Sequence, residues 1–131
     1  SPASQRLDIL PGDYHRTEFP ADQDAVTFLG VLHQEAPDAI ARLLRKAFGA
    51  LRPGGMVAVL DPMTNADHTQ PLFAALFAVN MALTTDNGWV FSREELSGWL
   101  SEAGFADSSA RQARLKRLHE LTDRARARRG A

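Results

Sequence analysis

The chain contains no cysteine among its 131 residues. This excludes a disulfide framework, a thiolate metal site and a thiol nucleophile. Long apolar runs are also missing, because the most apolar segment, residues 71–83, is shorter than the roughly 18 residues of a membrane span and contains Asn80. No metal site is predicted, since His15, His68 and His119 show no ligand spacing with one another or with acids. With no secretory signal pattern visible at the amino end, we expect a soluble, cytoplasmic protein with no membrane partner.

The charges are unevenly distributed along the chain. Residues 1–110 carry 7 basic and 14 acidic side chains, whereas residues 111–131 carry 8 basic and 2 acidic ones, which together give the net charge of −1. A basic tail is one signal of a nucleic-acid partner, but no aromatic residue is interleaved among these arginines to stack on bases. We therefore interpret the tail as a solvated surface segment and predict no nucleic-acid partner.

Apolar patterns predict alternating strands and helices in a single domain. Residues 25–32 have the length and composition of a strand buried on both faces, and residues 56–60 form a second, shorter strand. Between them, apolar residues repeat at helical spacing from Pro37 until the turn at residues 53–55, P-G-G. Strand and helix alternation with short connections favours an α/β fold, with a mostly parallel sheet and helices on both faces.

The remaining segments carry weaker or mixed signals. A second helix follows Pro71, and because apolar residues surround most of its circumference, we expect it to be buried on more than one side. Residues 92–95, S-R-E-E, match a capping box, which predicts a third helix that stops at Gly104. Residues 7–10 are strand-like, and residues 110–131 allow either a helix or closing strands.

His33 stands directly after the first predicted strand. In open α/β sheets, ligands bind beyond the carboxyl ends of the strands, so this position predicts that His33 faces a ligand crevice. The alternative is a partly buried, hydrogen-bonded histidine with a structural role. Asp61, which closes the second strand before Pro62, has its own alternative as a turn residue.

Five motifs over residues 7–105 have a defined order and spacing. They are LPGDY at 10–14, VLH at 31–33, LRPGG at 51–55 leading to Asp61, VNM at 79–81, and FSREE at 91–95 leading to AGF at 103–105. Together they resemble the S-adenosylmethionine-dependent small-molecule O-methyltransferases of plant phenylpropanoid and bacterial polyketide pathways. The resemblance implies that residues 1–131 are the carboxyl-terminal portion of a Rossmann-like methyltransferase catalytic domain, acting on a small aromatic or polyketide acceptor.

The resemblance also implies a catalytic pair. His33 would be the general base that takes the proton of the acceptor hydroxyl, and Asp61 would orient it. A phenol attacks a methyl sulfonium far faster as phenolate, and an imidazole, whose ordinary pKa is near ~6.5, accepts such a proton at working pH.

The binding residues that the resemblance implies form two groups. Expected at the cofactor are Asp13, Tyr14 and Leu29, and expected at the acceptor are Phe77, Met81 and Trp89. Each has a structural alternative, because an acid after glycine is often a turn residue and aromatic or methionine side chains at helical spacing usually pack in a core.

The chain departs from the family's pattern at several places. The family's D-W after the histidine is Gln34-Glu35 here, its polar residue four positions before the histidine is Leu29, and its second acid falls on Val90. The base would therefore have one carboxylate partner. These departures leave two alternatives open: a methyltransferase-like domain that binds without catalysis, and a family member with other chemistry, such as hydroxylation.

The family's glycine-rich G-x-G-x-G loop and its ribose-binding acid do not occur in these residues, and neither does its amino-terminal dimerisation domain. We therefore expect residues 1–131 alone to bind S-adenosylmethionine poorly and to be inactive. In the longer protein that the resemblance implies, we expect a homodimer.

Overall fold

The computed structural model describes residues 4–114 and 121–130. Its strands and helices, in chain order, are β1 (Gln23–Leu29), α1 (Pro37–Ala50), β2 (Leu51–Asp61), α2 (Leu72–Thr84), α3 (Arg93–Glu102), β3 (Ala106–Arg114) and β4 (Leu121–Arg128). Two short 3₁₀ helices lie at Ser4–Arg6 and Leu32–Gln34. The prediction of an α/β fold is confirmed. None of the described helices is long and apolar enough to cross a membrane.

The described strands form one mixed sheet in the order β1-β2-β4-β3. β1 and β2 are parallel, whereas β4 is antiparallel to both β2 and β3. The expectation of a mostly parallel sheet is therefore corrected. Parallel neighbours need a long crossover such as α1, whereas β3 and β4 are separated only by residues 115–120, a length that suits antiparallel pairing. Of the two alternatives for the end of the chain, the structure has closing strands, and residues 115–120, with His119, lie outside the described residues.

Helix α1 and strand β2 form where local patterns predict them, with one shift in boundary. Pro37 occupies the first turn of α1, where its missing N–H costs no hydrogen bond. β2 starts at Leu51, before the P-G-G segment that we predicted as a turn. The strand accommodates this segment as an irregularity in its pairing with β1, where Gln23 is opposite Leu51 but Ala25 is opposite Met56. Gly54 adopts a positive φ of 80°, which a side chain would strain.

The core lies between one face of the sheet and helices α1 and α3. Alternate residues of β2, among them Val57 and Val59, point into it. Its other members include Phe28, Leu32, Ile40, Leu43, Leu44, Ala47, Phe91, Leu96, Leu100 and Phe105. The opposite face of β2, with Met56, Ala58 and Leu60, is half-exposed. We predicted helices on both faces of the sheet. In the described residues, α1 and α3 instead pack together on the same face.

Two further expectations about burial are wrong. β1 is not buried on both faces: it lies at the edge of the sheet, and among its residues only Phe28 is fully buried, on the side of the core. Residues 7–10 are not a strand, because they pair with no described strand, and their apolar side chains are exposed.

Helix α2 is not enclosed on several sides as predicted. Only Ala74 is fully buried. Leu72, Leu76, Val79 and Leu83 form a stripe at helical spacing that is 57–81% exposed. Within the described residues this apolar face has no covering element, because α2 contacts the rest of the structure through its other side.

Candidate active site

His33 and Asp61 lie together at the carboxyl ends of the two parallel strands. His33 is in the 3₁₀ helix that follows β1, and Asp61 is the last residue of β2. Nδ1 of His33 is 2.5 Å from Oδ1 of Asp61. The backbone N–H of Leu32 donates to the other carboxylate oxygen, Oδ2, at 3.0 Å. Adjacent parallel strands end at the same edge of a sheet, so the pairing of β1 with β2 brings these two residues together.

The environment of Asp61 determines which nitrogen of His33 holds the free lone pair. The Asp61 side chain is fully buried, and an ionised carboxylate only accepts hydrogen bonds. Nδ1 of His33 therefore donates, and Nε2 is left as the acceptor. The imidazole is 15% exposed, and Nε2 has no hydrogen-bond partner among the described residues. A buried carboxylate is also a stabilising partner for the imidazolium that forms when Nε2 takes a proton.

One aromatic side chain contacts the ring of His33 directly. The ring of Phe77, on α2, meets the imidazole edge to face with centroids 5.2 Å apart, and Phe73 stacks on Phe77 at 6.0 Å. The backbone N–H of Trp89 donates to the carbonyl oxygen of His33 at 2.8 Å. This bond ties the backbone of Trp89 to the turn of His33, while the half-exposed indole meets the ring of His68 edge to face at 6.2 Å between centroids.

Met81 lies one helical turn beyond Phe77, where α2 meets the loop of residues 85–89. A Cβ on Gly88 would lie 3.2 Å from the Cβ of Met81, which shows how closely the loop approaches the helix. Thr85 ties the two together, because its hydroxyl donates to the carbonyl of Met81 and accepts the N–H of Gly88. Of the three residues predicted at the acceptor, Phe77 contacts the His33 ring and Trp89 is joined to His33 through its backbone, whereas Met81 is one helical turn from Phe77. Their binding role stays a prediction.

The segment that carries Trp89 is anchored at the start of α3. Thr64 and Ser92 form a parallel bridge, and the N–H of Thr64 donates to the carbonyl of Phe91 at 3.0 Å. The predicted capping box is present: Oγ of Ser92 accepts the N–H of Glu95, and the Glu95 carboxylate accepts the N–H of Ser92. Val90, where the resembling family has its second acid, is buried as an apolar residue.

Residues predicted at the cofactor lie apart from the His33 ring. Asp13 accepts the N–H of His15 at 2.9 Å and is 3.6 Å from Arg16, which is the geometry of a turn acid. Leu29 is exposed at the end of β1. Tyr14 lines an open apolar groove of about 350 Å³ along β1, together with Phe19, Pro20, Val26 and Val31.

Glu35 is the buried residue that the sequence analysis treated only as a departure from a motif. It accepts a hydrogen bond from the hydroxyl of Tyr14, and Nε2 of His15 is 3.1 Å from the same oxygen. The bond to Glu35, with burial and the negative charges of Glu35 and Asp13, raises the pKa of Tyr14 to about 12. The sequence signal that could have identified Glu35 is its position, since it is an acid two residues after a histidine at the end of a strand. In the part of the chain described, no cluster of three or more histidine or acidic residues could hold a metal ion.

An open α/β sheet with a histidine and a buried carboxylate at its strand ends defines a class of ligand-binding enzyme domains. Residues 1–106 match the family model for the O-methyltransferase domain, which identifies the chain as a member of that family. This confirms the resemblance in the motifs.

Individual relatives agree with this assignment. The chain is 38% identical over 103 residues to an L-tyrosine C(3)-methyltransferase of Streptomyces lavendulae, a match that covers 78% of this chain and 28% of the relative. It is 36% identical over 80 residues to the tetracenomycin polyketide synthesis 8-O-methyltransferase TcmO of Streptomyces glaucescens, covering 61% of this chain and 22% of TcmO. The structure of human N-acetylserotonin methyltransferase in complex with S-adenosylmethionine aligns with a TM-score of 0.84 at 26% identity, over 97% of this chain and 35% of that one. The chain thus spans about a third or less of the length of these proteins.

Proposed function

We propose that this chain supplies the catalytic base and acceptor-binding part of a methyltransferase that uses S-adenosylmethionine. The reaction moves the methyl group to a hydroxyl of a small aromatic acceptor. The observation that carries the proposal is the 2.5 Å contact between Nδ1 of His33 and Oδ1 of the buried Asp61, which leaves Nε2 as a proton acceptor. Membership of the O-methyltransferase domain family supports the same chemistry.

The described residues fit one end of the cofactor. The apolar groove along β1, with the half-exposed ring of Tyr14 at its side, accepts a flat heteroaromatic ring such as adenine. Leu29 adds apolar surface at the end of the same strand, and Asp13 fixes the turn that presents Tyr14. When bound, S-adenosylmethionine supplies an electrophilic methyl group on a sulfonium sulfur.

The residues of this chain act on the acceptor. Nε2 of His33 takes the proton of the acceptor hydroxyl while the oxygen attacks the methyl group, and Asp61 stabilises the resulting imidazolium. In this proposal Phe77, whose ring meets the imidazole, forms the apolar wall nearest the base, and Met81 and Trp89 extend that wall for an aromatic acceptor.

A second candidate is methylation at a ring carbon next to the hydroxyl. The identity of 38% with an L-tyrosine C(3)-methyltransferase favours it. The same base serves both reactions, because removal of the phenol proton raises the electron density on the oxygen and on the neighbouring ring carbon. The two reactions differ in which atom of the acceptor attacks the methyl group. Attack by the ring carbon is followed by loss of the hydrogen on that carbon as a proton, which restores the aromatic ring.

We infer from the lengths of the relatives, of which this chain covers about a third or less, that the natural protein is longer, and the test uses that longer natural protein. It is incubated with S-adenosylmethionine and a panel of catechols, tyrosine derivatives and hydroxylated polycyclic aromatics, and S-adenosylhomocysteine release is measured. NMR of the product distinguishes an oxygen-bound from a carbon-bound methyl group. Cofactor binding without turnover on any hydroxylated aromatic would favour the non-catalytic alternative, and absence of cofactor binding would contradict the proposal.

Replacing Asp61 with asparagine is expected to lower kcat about tenfold to hundredfold, less than removal of the base itself. The amide keeps the shape of the side chain but loses the charge that stabilises the imidazolium. Steady-state kinetics checks this. Asp67→Asn, at an exposed acid six residues on, is the matched control and should leave kcat unchanged. Equal kcat for both variants would show that Asp61 has only a structural role.

Shortening Met81 to alanine is expected to raise the KM for the acceptor more than the Kd for the cofactor. The reason is that Met81 lies on α2 one turn beyond Phe77, whose ring contacts the imidazole, whereas the cofactor groove lies along β1. The check pairs acceptor kinetics with titration calorimetry of S-adenosylmethionine. A loss of several kcal/mol in the free energy of unfolding, of the kind that follows large-to-small core substitutions, would instead place Met81 in the core.

A further inference from the structure

Glu35 is a buried carboxylate outside the base pair. Its side chain is only 11% exposed, although a glutamate is rarely so enclosed unless it is paired. One oxygen, Oε1, receives both the hydroxyl of Tyr14 and Nε2 of His15. His15 and Tyr14 are 20 and 21 residues before Glu35 in sequence, so these contacts connect two distant segments of the chain.

The position of Glu35 is fixed relative to the base. It directly follows the 3₁₀ helix that contains His33, and its backbone N–H donates to the carbonyl of Leu32 at 3.0 Å. Two residues later, Pro37 begins α1. The backbone of Glu35 is therefore fixed to the turn that carries His33, and its buried side chain has little freedom to move independently.

The segment of Tyr14 has a second attachment on the opposite side. The ammonium group of Lys46, on α1, donates to the carbonyl oxygens of Tyr14 and Thr17 at 2.7 and 2.6 Å. It also lies 4.5 Å from the centroid of the Phe19 ring. Lys46 thus holds the backbone of the segment. The direction of the Tyr14 ring is set by its hydroxyl, which bonds Glu35, and by the ring of His15, 4.5 Å away between centroids.

The hydroxyl of Tyr14 is fixed, whereas the rest of the side chain is accessible. The hydroxyl donates to Glu35, and Tyr14 is 41% exposed and lines the groove along β1. Because the phenol pKa is raised to about 12, the hydroxyl stays protonated and continues to donate across the working pH range. A ring fixed in this way is preorganised for stacking, since the side-chain freedom that binding would remove is already restricted.

We propose that Glu35 is a positioning residue for the cofactor. Its hydrogen bond to the Tyr14 hydroxyl orients the Tyr14 ring and connects the groove along β1 to the turn that carries His33. This inference rests on the proposed function, because it names a residue that serves the affinity for S-adenosylmethionine. It assigns Glu35 an effect on cofactor binding and none on the proton transfer.

The test is a double-mutant cycle in the longer natural protein, with Tyr14→Phe, Glu35→Ala and the double variant. The Kd for S-adenosylmethionine is measured by calorimetry, and kcat at saturating cofactor. Each single change should raise the Kd about tenfold, the scale of one hydrogen bond to a charged group, and the double variant should raise it no further, because both changes remove the same interaction. At saturating cofactor, kcat should stay within about twofold, since the base pair is untouched.

Two further variants separate positioning from a general structural effect. Glu35→Gln keeps an oxygen that accepts the Tyr14 hydroxyl, so the Kd should return to within about threefold of the natural value. Asp38→Asn, at an exposed acid three residues on, is the matched control and should leave the Kd unchanged. Thermal unfolding of all variants shows whether any has lost its fold.

The outcomes separate the two proposals. A natural protein that binds no S-adenosylmethionine would overturn both. If that protein binds and turns over while Tyr14→Phe and Glu35→Ala leave the Kd unchanged, or change it by factors that multiply, the positioning role is wrong and the proposed function stands. The positioning role is also wrong if kcat falls while the Kd stays unchanged. It is wrong as well if Glu35→Gln raises the Kd as much as Glu35→Ala does.

Discussion

Replacing His33 with alanine is expected to lower kcat about 10²–10⁴-fold in the longer natural protein. The substitution removes the imidazole, whose Nε2 has no hydrogen-bond partner among the described residues and whose ring meets that of Phe77. Asp61 does not replace it as the base, because its side chain is fully buried. The Kd for S-adenosylmethionine should change little, since His33 does not line the groove along β1.

The measurement combines steady-state kinetics with cofactor calorimetry and thermal unfolding. Gln34→Ala is the matched control: it changes the neighbouring residue of the same 3₁₀ helix, whose exposed amide makes only a 3.4 Å contact to the carbonyl of Gly30. The defect of His33→Ala should shrink for an acceptor with an acidic hydroxyl, because such a hydroxyl is already ionised and needs no base. An unchanged kcat, or an equal defect for acidic and ordinary acceptors, would remove His33 from the proposed role.

The elements that the sequence predicts well are those whose signals are local. The apolar stripe from Pro37 and the capping box at Ser92 each specify a helix within one or two turns, and the structure has both. His33 and Asp61 each stand at the end of a strand with a local signal, but their contact joins residues 28 positions apart and depends on the pairing of β1 with β2. It was expected from the family resemblance, whereas the two helices needed no knowledge of long-range packing.

The features that the sequence did not predict depend on contacts between distant segments. An apolar helix such as α2 reads as buried from its composition, but its burial depends on what covers it, and its leucine stripe is exposed in the described residues. The contact of Tyr14 with Glu35 has no periodicity to reveal it, because it joins residues 21 positions apart. The P-G-G segment read as a turn because Pro and Gly favour turns, and only pairing with β1 draws it into a strand.

A polypeptide of residues 1–131 alone is expected to bind S-adenosylmethionine far more weakly than the longer natural protein, and to show no methyl transfer. A glycine-rich strand-to-helix turn allows the backbone to approach the cofactor closely, and these residues contain no G-x-G-x-G segment. The groove at Tyr14 would contact only the adenine end. Calorimetry on the short and long polypeptides gives the comparison, and micromolar binding by the short one would show that the cofactor site has been misplaced.

The short polypeptide is also expected to self-associate, for reasons visible in its surface. The stripe of Leu72, Leu76, Val79 and Leu83 exposes contiguous apolar surface, and β1 is an open strand edge in the described sheet. Both features promote pairing with another chain. Sedimentation of the short polypeptide at several concentrations measures this association. Leu76→Glu together with Leu83→Glu should reduce association without lowering the melting temperature, because both side chains are already exposed in the isolated fold. A monomer at all concentrations, or unfolding of the doubly substituted form, would contradict the assignment of this stripe as free surface.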